Sequence, residues 1–305
     1  MLSIVIFCKT LAKGGAEKQA LMLAKLLVEK GFKVVVVSWN KNQVDPQNKK
    51  ILTDNALKYY GLHGPQLMRL VQFNRILKRE DAVIVFSYLT LANCIAGFSK
   101  AFNKGLVTLG GVRSEKLPVW KFLSERFVHN HLNNATIFNN FSAKKKFERH
   151  GFDPDKGHVI HNAIKTHTAT VPFRNGNEIT IITVARFVKA KDFETSLLAL
   201  SKLIARNPDQ SIRYIIIGYG PEEFRIRALI TSLALNDKVD IVINPPNVRD
   251  YLKGSCIYLS TSLFEGLSNS LMEAMIEGLP IVATNVGDNS FLVINGYNGY
   301  LMPVR

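Results

Sequence analysis

Short, continuous apolar runs alternate with amphipathic stretches along most of the chain. Residues 2–8 read as a buried strand and residues 9–15 as its loop. Residues 17–29 predict a helix, because Ala20, Leu21, Leu23, Ala24, Leu26 and Leu27 recur at helical spacing. Residues 32–39 predict a second strand. Strand, glycine loop, helix, strand is a Rossmann-like opening. Residues 40–80 are polar and yield no assignment. Beyond them, 82–88, 106–109 and 135–139 read as strands, and 90–102 and 142–150 as helices. Residues 165–177, rich in Thr, Pro, Arg, Asn and Gly, read as a linker. A second series follows, with strands at 179–184, 212–217, 239–243, 257–260 and 281–284. Helices are expected at 193–206, 222–233 and 248–253, with another ending near Glu277-Gly278-Leu279-Pro280. The pattern predicts two α/β domains, residues 1–168 and 169–305, and 305 residues suffice for both.

Composition narrows the partners. Net charge is +15, and all the excess lies in residues 1–170, with 26 Lys+Arg against 11 Asp+Glu. Residues 171–305 balance at 13 against 13. A field of that sign favours an anionic surface such as phospholipid headgroups, with nucleic acid as the rival. Residues 117–131 mix Trp120, Phe122, Leu123 and Phe127 with basic residues, and 142–150 carries Lys144, Lys145, Lys146 and Arg149. Such a pattern fits a helix lying on a membrane and equally a solvated helix face. No apolar run approaches the roughly 20 residues that span a bilayer. The first one lacks the basic start and cleavage site of a signal sequence. Cys8, Cys94 and Cys256 are odd in number and far apart, which fits free thiols in a reducing cytosol. His129, His131 and His150 show no metal-binding pattern and read as structural or exposed.

Two stretches carry chemistry. The first is residues 262–275, after the strand at 257–260. It holds two carboxylates eight positions apart, Glu265 in the strand-to-helix loop and Glu273 about two turns into the helix. Between them Gly266 permits close backbone approach, and Ser268 and Asn269 can cap the helix. The free N–H groups of a helix start suit an anion. The second is Arg186 and Lys191, two cations five apart between a strand and a helix, where α/β folds bind ligands. Gly14-Gly15 begins the first helix and could cradle a phosphate, but a tight turn needs the same glycines. Gly-x-Gly-x-x-Gly is absent.

Glu265-Gly266-Leu267-Ser268-Asn269, Glu-x7-Glu, and the later Gly278-Leu279-Pro280-Ile281-Val282-Ala283-Thr284-Asn285-Val286-Gly287 resemble the signature of retaining glycosyltransferases of the GT4 type, the glycosyl transferases group 1. Arg186-x4-Lys191, with Ala185 where the family has Gly, is similar to the same family. So are Gly14-Gly15-Ala16-Glu17 and Gly218-Tyr219-Gly220-Pro221. The resemblance implies the GT-B fold, two Rossmann-like domains facing each other across a cleft. It implies a nucleotide-sugar donor, a UDP- or GDP-sugar, used as substrate with no cofactor and no metal. Arg186 and Lys191 would neutralise the leaving diphosphate, and Glu265 would lie beside the donor sugar. Gly266, Leu267, Ser268 and Asn269 would hold diphosphate and sugar, and Glu273 the ribose hydroxyls. Gly14 and Gly15 would close over the diphosphate, Gly218 and Gly220 would lie near the nucleotide, and Val248 near the base.

Where many relatives carry a His after the strand at 106–109, this chain has Val112-Arg113. Arg113 is thus a candidate acceptor or phosphate contact, and a loop Arg with no ligand explains it equally well. In residues 159–164, His161 and Ala163 replace the family's Pro and Gly. Relatives continue past residue 305 through crossover helices, which are expected to be missing here. The acceptor implied is a lipid-linked or surface-polysaccharide glycan, the place cytoplasmic, peripheral on the inner face of the cell membrane. No nucleic acid is expected. A GT-B sugar-nucleotide epimerase and a non-catalytic binder of anionic ligands remain as alternatives.

Overall fold

The structure, a computed structural model, describes residues 2–113, 117–164 and 178–304. Two compact units divide it, Met1–Ala163 and Ile164–Arg305. The expected linker and the boundary at 168/169 lie outside the described residues.

The first unit is built on β1 (Ser3–Cys8), β2 (Lys33–Ser38), β3 (Lys58–Gly61), β4 (Ala82–Tyr88), β5 (Val107–Val112), β6 (Ala135–Phe138) and β7 (Gly157–Val159). Every pairing is parallel and the order is β3-β2-β1-β4-β5-β6-β7. Six helices connect them: α1 (Gly15–Glu29), α2 (Pro46–Asp54), α3 (Gln66–Arg79), α4 (Thr90–Ser99), α5 (Val119–Phe127) and α6 (Phe141–Glu148). Strand alternation explains the layering. Ile4, Ile6, Val34 and Val36 pack with Ala20, Leu21 and Ala24 of α1 and Leu52 of α2. Val5, Phe7, Val35 and Val37 point the other way, onto Phe73 and Leu77 of α3 and Ala92 and Ala96 of α4. A sheet covered on both faces needs strands without polar alternation, hence the unbroken runs in the sequence.

The polar region 40–80 holds α2, β3 and α3. Only Asn48 and Leu52 of α2 are buried, and β3 is a four-residue edge strand, so neither has a strong apolar signature. The strand expected at 106–109 runs on through Gly110 and Gly111 to Val112.

The second unit contains β8 (Glu178–Val184), β9 (Ser211–Gly218), β10 (Val239–Ile243), β11 (Ile257–Ser260), β12 (Ile281–Thr284) and β13 (Gly299–Met302), in the order β10-β9-β8-β11-β12-β13, again all parallel. Its helices are α7 (Phe193–Arg206), α8 (Glu223–Ser232), α9 (Val248–Lys253), α10 (Asn269–Ile276) and α11 (Asn289–Leu292). Ile181, Ile212, Tyr214 and Ile216 face α7 and α8, while Ile182, Ile217, Tyr258 and Ile281 face Leu252 of α9 and Leu271 and Ala274 of α10. In this order the chain winds away from β8 in both directions. The carboxyl ends of β8 and its neighbour β11 therefore flank a topological switch point, the usual ligand crevice of open parallel sheets.

Candidate functional site

The loop after β8 and the loop after β11 meet at that switch point. After β8 the chain makes a short turn, Lys189–Lys191, and Asp192 adopts a left-handed conformation (φ 45°) while capping α7 through Thr195. The loop after β11 fastens onto this turn. The Leu263 amide donates to the Ala190 carbonyl (2.8 Å), and the Thr261 hydroxyl donates to the Asp192 carbonyl (2.8 Å). These backbone ties bring Lys191 Nζ onto Glu265 Oε1, with the two side chains only 19% and 13% exposed. The Ser262 hydroxyl donates to the same oxygen at 2.8 Å. Arg186 stands beside this pair in sequence, is exposed, and has no side-chain partner among the described residues.

Two neighbouring loops fix the geometry. A Cβ on Gly218 would lie 1.9 Å from the Ala185 carbonyl oxygen, and one on Gly220 2.4 Å from that of Phe187. The loop after β9 therefore lies against the backbone of Ala185 and Phe187, on either side of Arg186, and the Phe187 amide donates to the Tyr219 carbonyl at 2.8 Å. From the other side, Gly287 (φ +55°) presses on the Glu265 and Gly266 carbonyls, where any Cβ would sit 2.4 Å from both oxygens. The Thr284 hydroxyl, at the end of β12, holds the Ser262 carbonyl at 2.6 Å. Ser268 caps α10 by accepting from the Leu271 amide, so Asn269 becomes the first helical residue. Gly278, at φ +76°, ends the helix, its amide bonding the Met275 carbonyl. Because the helix starts only at Asn269, Glu273 lies about one turn in, not the two expected from the sequence, and is half-buried. Beneath the helix start, the Tyr258 hydroxyl donates to Ser270 (2.8 Å), and burial pushes its phenol far up, held neutral.

Arg186, Lys191, Glu265, Gly266, Leu267, Ser268 and Asn269 thus gather at the carboxyl edge of the second sheet, with Gly218 and Gly220 packed under Arg186. Val248 begins α9 after β10 on the same edge. Ser262 and Thr284 lie within the two stretches already quoted, 262–275 and 278–287, but nothing in the sequence marks them as supports, and Asp192 lies in neither. Ser262 lies three before Glu265, and that spacing is the available signal. A larger concavity of about 610 Å³, lined by Glu178, Thr180, Arg213 and Asp240 among others, contains none of these residues.

Gly14, Gly15 and Arg113 belong to the first unit. Gly14 precedes α1 in extended conformation with no side-chain cap. The Glu17 carboxylate folds back there, 2.2 Å from where a Gly14 Cβ would be, and accepts from Thr10 (3.3 Å). A phosphate at these amides has to displace it. Arg113 follows β5, donates to Asn162 Oδ1 at 2.5 Å, and lies 5.1 Å from the Tyr88 ring. Its Nε is buried with no hydrogen-bond partner among the described residues. It lines, with Tyr88 and Gly111, a cavity of about 230 Å³ whose other walls are mostly apolar. Burial pushes the Tyr88 phenol up to about 12 despite the nearby guanidinium.

Behind that strand end lies a buried polar network. Asn93 Nδ2 donates to both oxygens of Glu125 (2.9 and 3.1 Å), and Asn93 Oδ1 accepts from Ser87 (2.8 Å) and from the Gly111 amide (3.1 Å). Burial raises Glu125 to about 7, against the pull of its bonds to Asn93 and Thr90. His129 is also buried and lowered by desolvation. Its Nε2 lies 2.8 Å from the Asp153 carbonyl and its Nδ1 2.8 Å from Thr136, a structural neutral imidazole. Among the described residues, no cluster of His, Cys, Asp and Glu could hold a metal ion.

Family models match both halves. "Glycosyltransferase Family 4" covers residues 13–168 and "Glycosyl transferases group 1" covers residues 166–305. The chain is 27% identical over 304 residues to a component of the human phosphatidylinositol N-acetylglucosaminyltransferase, a match covering 90% of this chain and 60% of that protein. The gpi3 component of the same enzyme in Schizosaccharomyces pombe is 24% identical over 295 residues, covering 90% of this chain and 63% of the relative. The chain therefore spans about three fifths of the length of these relatives. Among solved structures, Anabaena Alr3699/HepE in complex with UDP superposes with a TM-score of 0.83 at 16% identity, covering 99% of this chain and 86% of that one. That likeness shows the GT-B fold, two Rossmann-like α/β domains. By both family matches and by fold, the chain belongs to the GT4-type glycosyltransferases, the glycosyl transferases group 1.

Proposed function

We propose that the protein transfers a sugar from a nucleotide sugar to an acceptor hydroxyl with retention at the anomeric carbon. The observation that carries this reading is the Lys191–Glu265 pair, set with Arg186 and the α10 start at the switch point of the second sheet. Counting Arg186, this cluster has one positive charge in excess and lies beside the amides of a helix start, which suits a diphosphate. In the reaction, the bond between the anomeric carbon and the β-phosphate oxygen breaks, and its electron pair stays on that oxygen. The acceptor oxygen bonds to the same face of the sugar, and its proton passes to the departing phosphate oxygen. Arg186, Lys191 and the amides of Gly266 to Asn269 stabilise the charge that develops. Glu265 holds the donor sugar and keeps Lys191 in place, and Glu273 takes the ribose hydroxyls. Gly14 and Gly15 contribute phosphate contacts once Glu17 has moved, and Gly218, Gly220 and Val248 border the nucleoside.

Two cations and a helix end supply the neutralisation that a divalent ion gives elsewhere, so chelator should leave the rate unchanged. The donor favoured is a UDP-sugar, supported by the UDP complex of the Anabaena neighbour. A lipid-linked acceptor is supported by the phosphatidylinositol in the relatives' names and by the basic first half. A polysaccharide glycan uses the same hydroxyl chemistry. Arg113, with its unpaired Nε, is the acceptor or phosphate contact of the first unit.

The test is transfer from radiolabelled UDP-sugars to lipid and glycan acceptors by the full chain and two variants. Lys191→Ala and Arg186→Ala should each lower turnover about a hundredfold, roughly 2.7 kcal/mol of transition-state stabilisation. Unchanged turnover in both would remove the diphosphate role.

A further inference from the structure

The outer surface of α4, the helical turn Lys100–Phe102 that extends it, and α5 is apolar where a solvated surface would be polar. Val119, Trp120, Leu123 and Phe127 line the exposed side of α5, and Phe98 and Phe102 that of α4 and its extension. Trp120 is 65% exposed and Phe102 61%. The rings of Phe98 and Phe127 stack at 6.5 Å between centroids, joining the two rows into one surface. Isolated exposed hydrophobes need no explanation, but a joined set of aromatics marks an interaction site.

Among the described residues, the exposed charges on these helices have one sign. Lys104 and Arg126 are exposed, and the Lys121 ammonium lies 5.3 Å from the Trp120 ring centre. The described acid of these helices, Glu125, is turned inward onto Asn93 and is 2% exposed. Next to them α3, tied through Asn103 to Asn74 at 2.7 Å, adds exposed Arg75, Lys78 and Arg79 and no acid. Among the described residues of these three helices the outward charges are thus all cations, with an exposed acid, Asp81, only past the end of α3, and they stand beside rings large enough to enter an acyl layer. Aromatic bodies suit the boundary between headgroups and chains, and long basic side chains reach the phosphates.

We infer that this face of the first unit seats on an anionic lipid bilayer, with Trp120 and Phe102 inserted below the headgroup phosphates. The inference rests on the surface alone and holds whether or not the second unit transfers sugar. Joined with the transfer reading, it sets the chain at the level where a lipid-anchored acceptor presents its headgroup.

The chain provides its own reporter. Of its two tryptophans, Trp39 is buried at 6% exposure, so an emission change on binding belongs to Trp120. The full chain is mixed with phosphatidylcholine vesicles, and with vesicles containing about one third phosphatidylglycerol. Flotation should show binding to the second and not the first, with a blue shift of emission and quenching by brominated acyl chains. The double variant Trp120→Ser/Phe102→Ser should bind the anionic vesicles at least about tenfold more weakly. Its unfolding midpoint and its response to UDP should match the parent chain, since both side chains are exposed. Equal binding to both vesicle types, unshifted Trp120 emission, or full binding by the double variant would each overturn the inference. Self-association through this face without vesicle binding would overturn it in favour of a protein interface. Loss of the UDP response in parent and variant alike would count against the nucleotide reading only.

Discussion

Lys191 is paired with Glu265, which separates affinity from turnover at this site. The paired ammonium offers a phosphate less net attraction than a free one, because the carboxylate already cancels part of its field. Glu265 is in turn fixed by Ser262, whose hydroxyl occupies the same oxygen. Ground-state binding should therefore survive the loss of the carboxylate, while the reaction should not. Glu265→Gln is expected to leave the dissociation constant for UDP unchanged or tighter and to lower kcat about a hundredfold. Weaker UDP binding with kcat preserved, measured on the same preparation, would contradict the assignment. Arg186 has no side-chain competitor among the described residues, so its removal should weaken UDP binding and turnover together.

At the scale of elements, α5 is joined to α4 and to the end of β5 through one buried carboxyl. Glu125 reaches Asn93, and Asn93 reaches the Gly111 amide. Its raised value, about 7, means that the folded state holds the proton over a range where the unfolded chain, near 4.5, has released it. Folding stability from this group is therefore present below about 4.5 and is lost as pH rises toward 7, levelling off above it. The size is on the order of 3 kcal/mol. Glu125→Gln, neutral throughout, should flatten that slope and make the variant more stable than the parent at pH 8. Equal pH dependence of denaturant midpoints in the two proteins would show that the carboxyl is ionised in place.

The elements also show what the chain makes legible. Strands buried on both faces write themselves as unbroken Val and Ile runs, so β1, β2, β8 and β9 stand out. β3 and β7 are short edge strands, and α2 buries little apolar surface, so composition hides them. Arg186, Lys191, Glu265 and Glu273 are readable because their spacing brackets strand ends. Thr284 and Gly287 stand in the quoted run 278–287, but their supporting role is not readable. Their contacts with Ser262, Glu265 and Gly266 exist only because β11 and β12 are neighbours in the sheet, a fact of topology that spacing along the chain does not encode.

The whole molecule joins two units of the same design and unequal charge. Residues 1–163 hold 25 Lys+Arg against 11 Asp+Glu, +14 of the net +15, with outward cations beside exposed aromatic rings, and residues 164–305 are close to balance at 14 against 13. This division fits a chain whose first unit answers to a surface and whose second answers to a small anionic ligand. The proposed nucleotide contacts lie mostly on the second unit's loops, so binding of the free nucleotide is the property to measure. Calorimetric titration of UDP, GDP and ADP into the full chain and into Arg186→Ala, Lys191→Ala and Glu273→Ala is the decisive measurement. At least one nucleoside diphosphate, UDP foremost, is expected to bind, about tenfold or more weakly in Arg186→Ala and Glu273→Ala and with a smaller loss in Lys191→Ala. No heat with any nucleotide, or equal affinity in the parent and all three variants, would contradict that expectation.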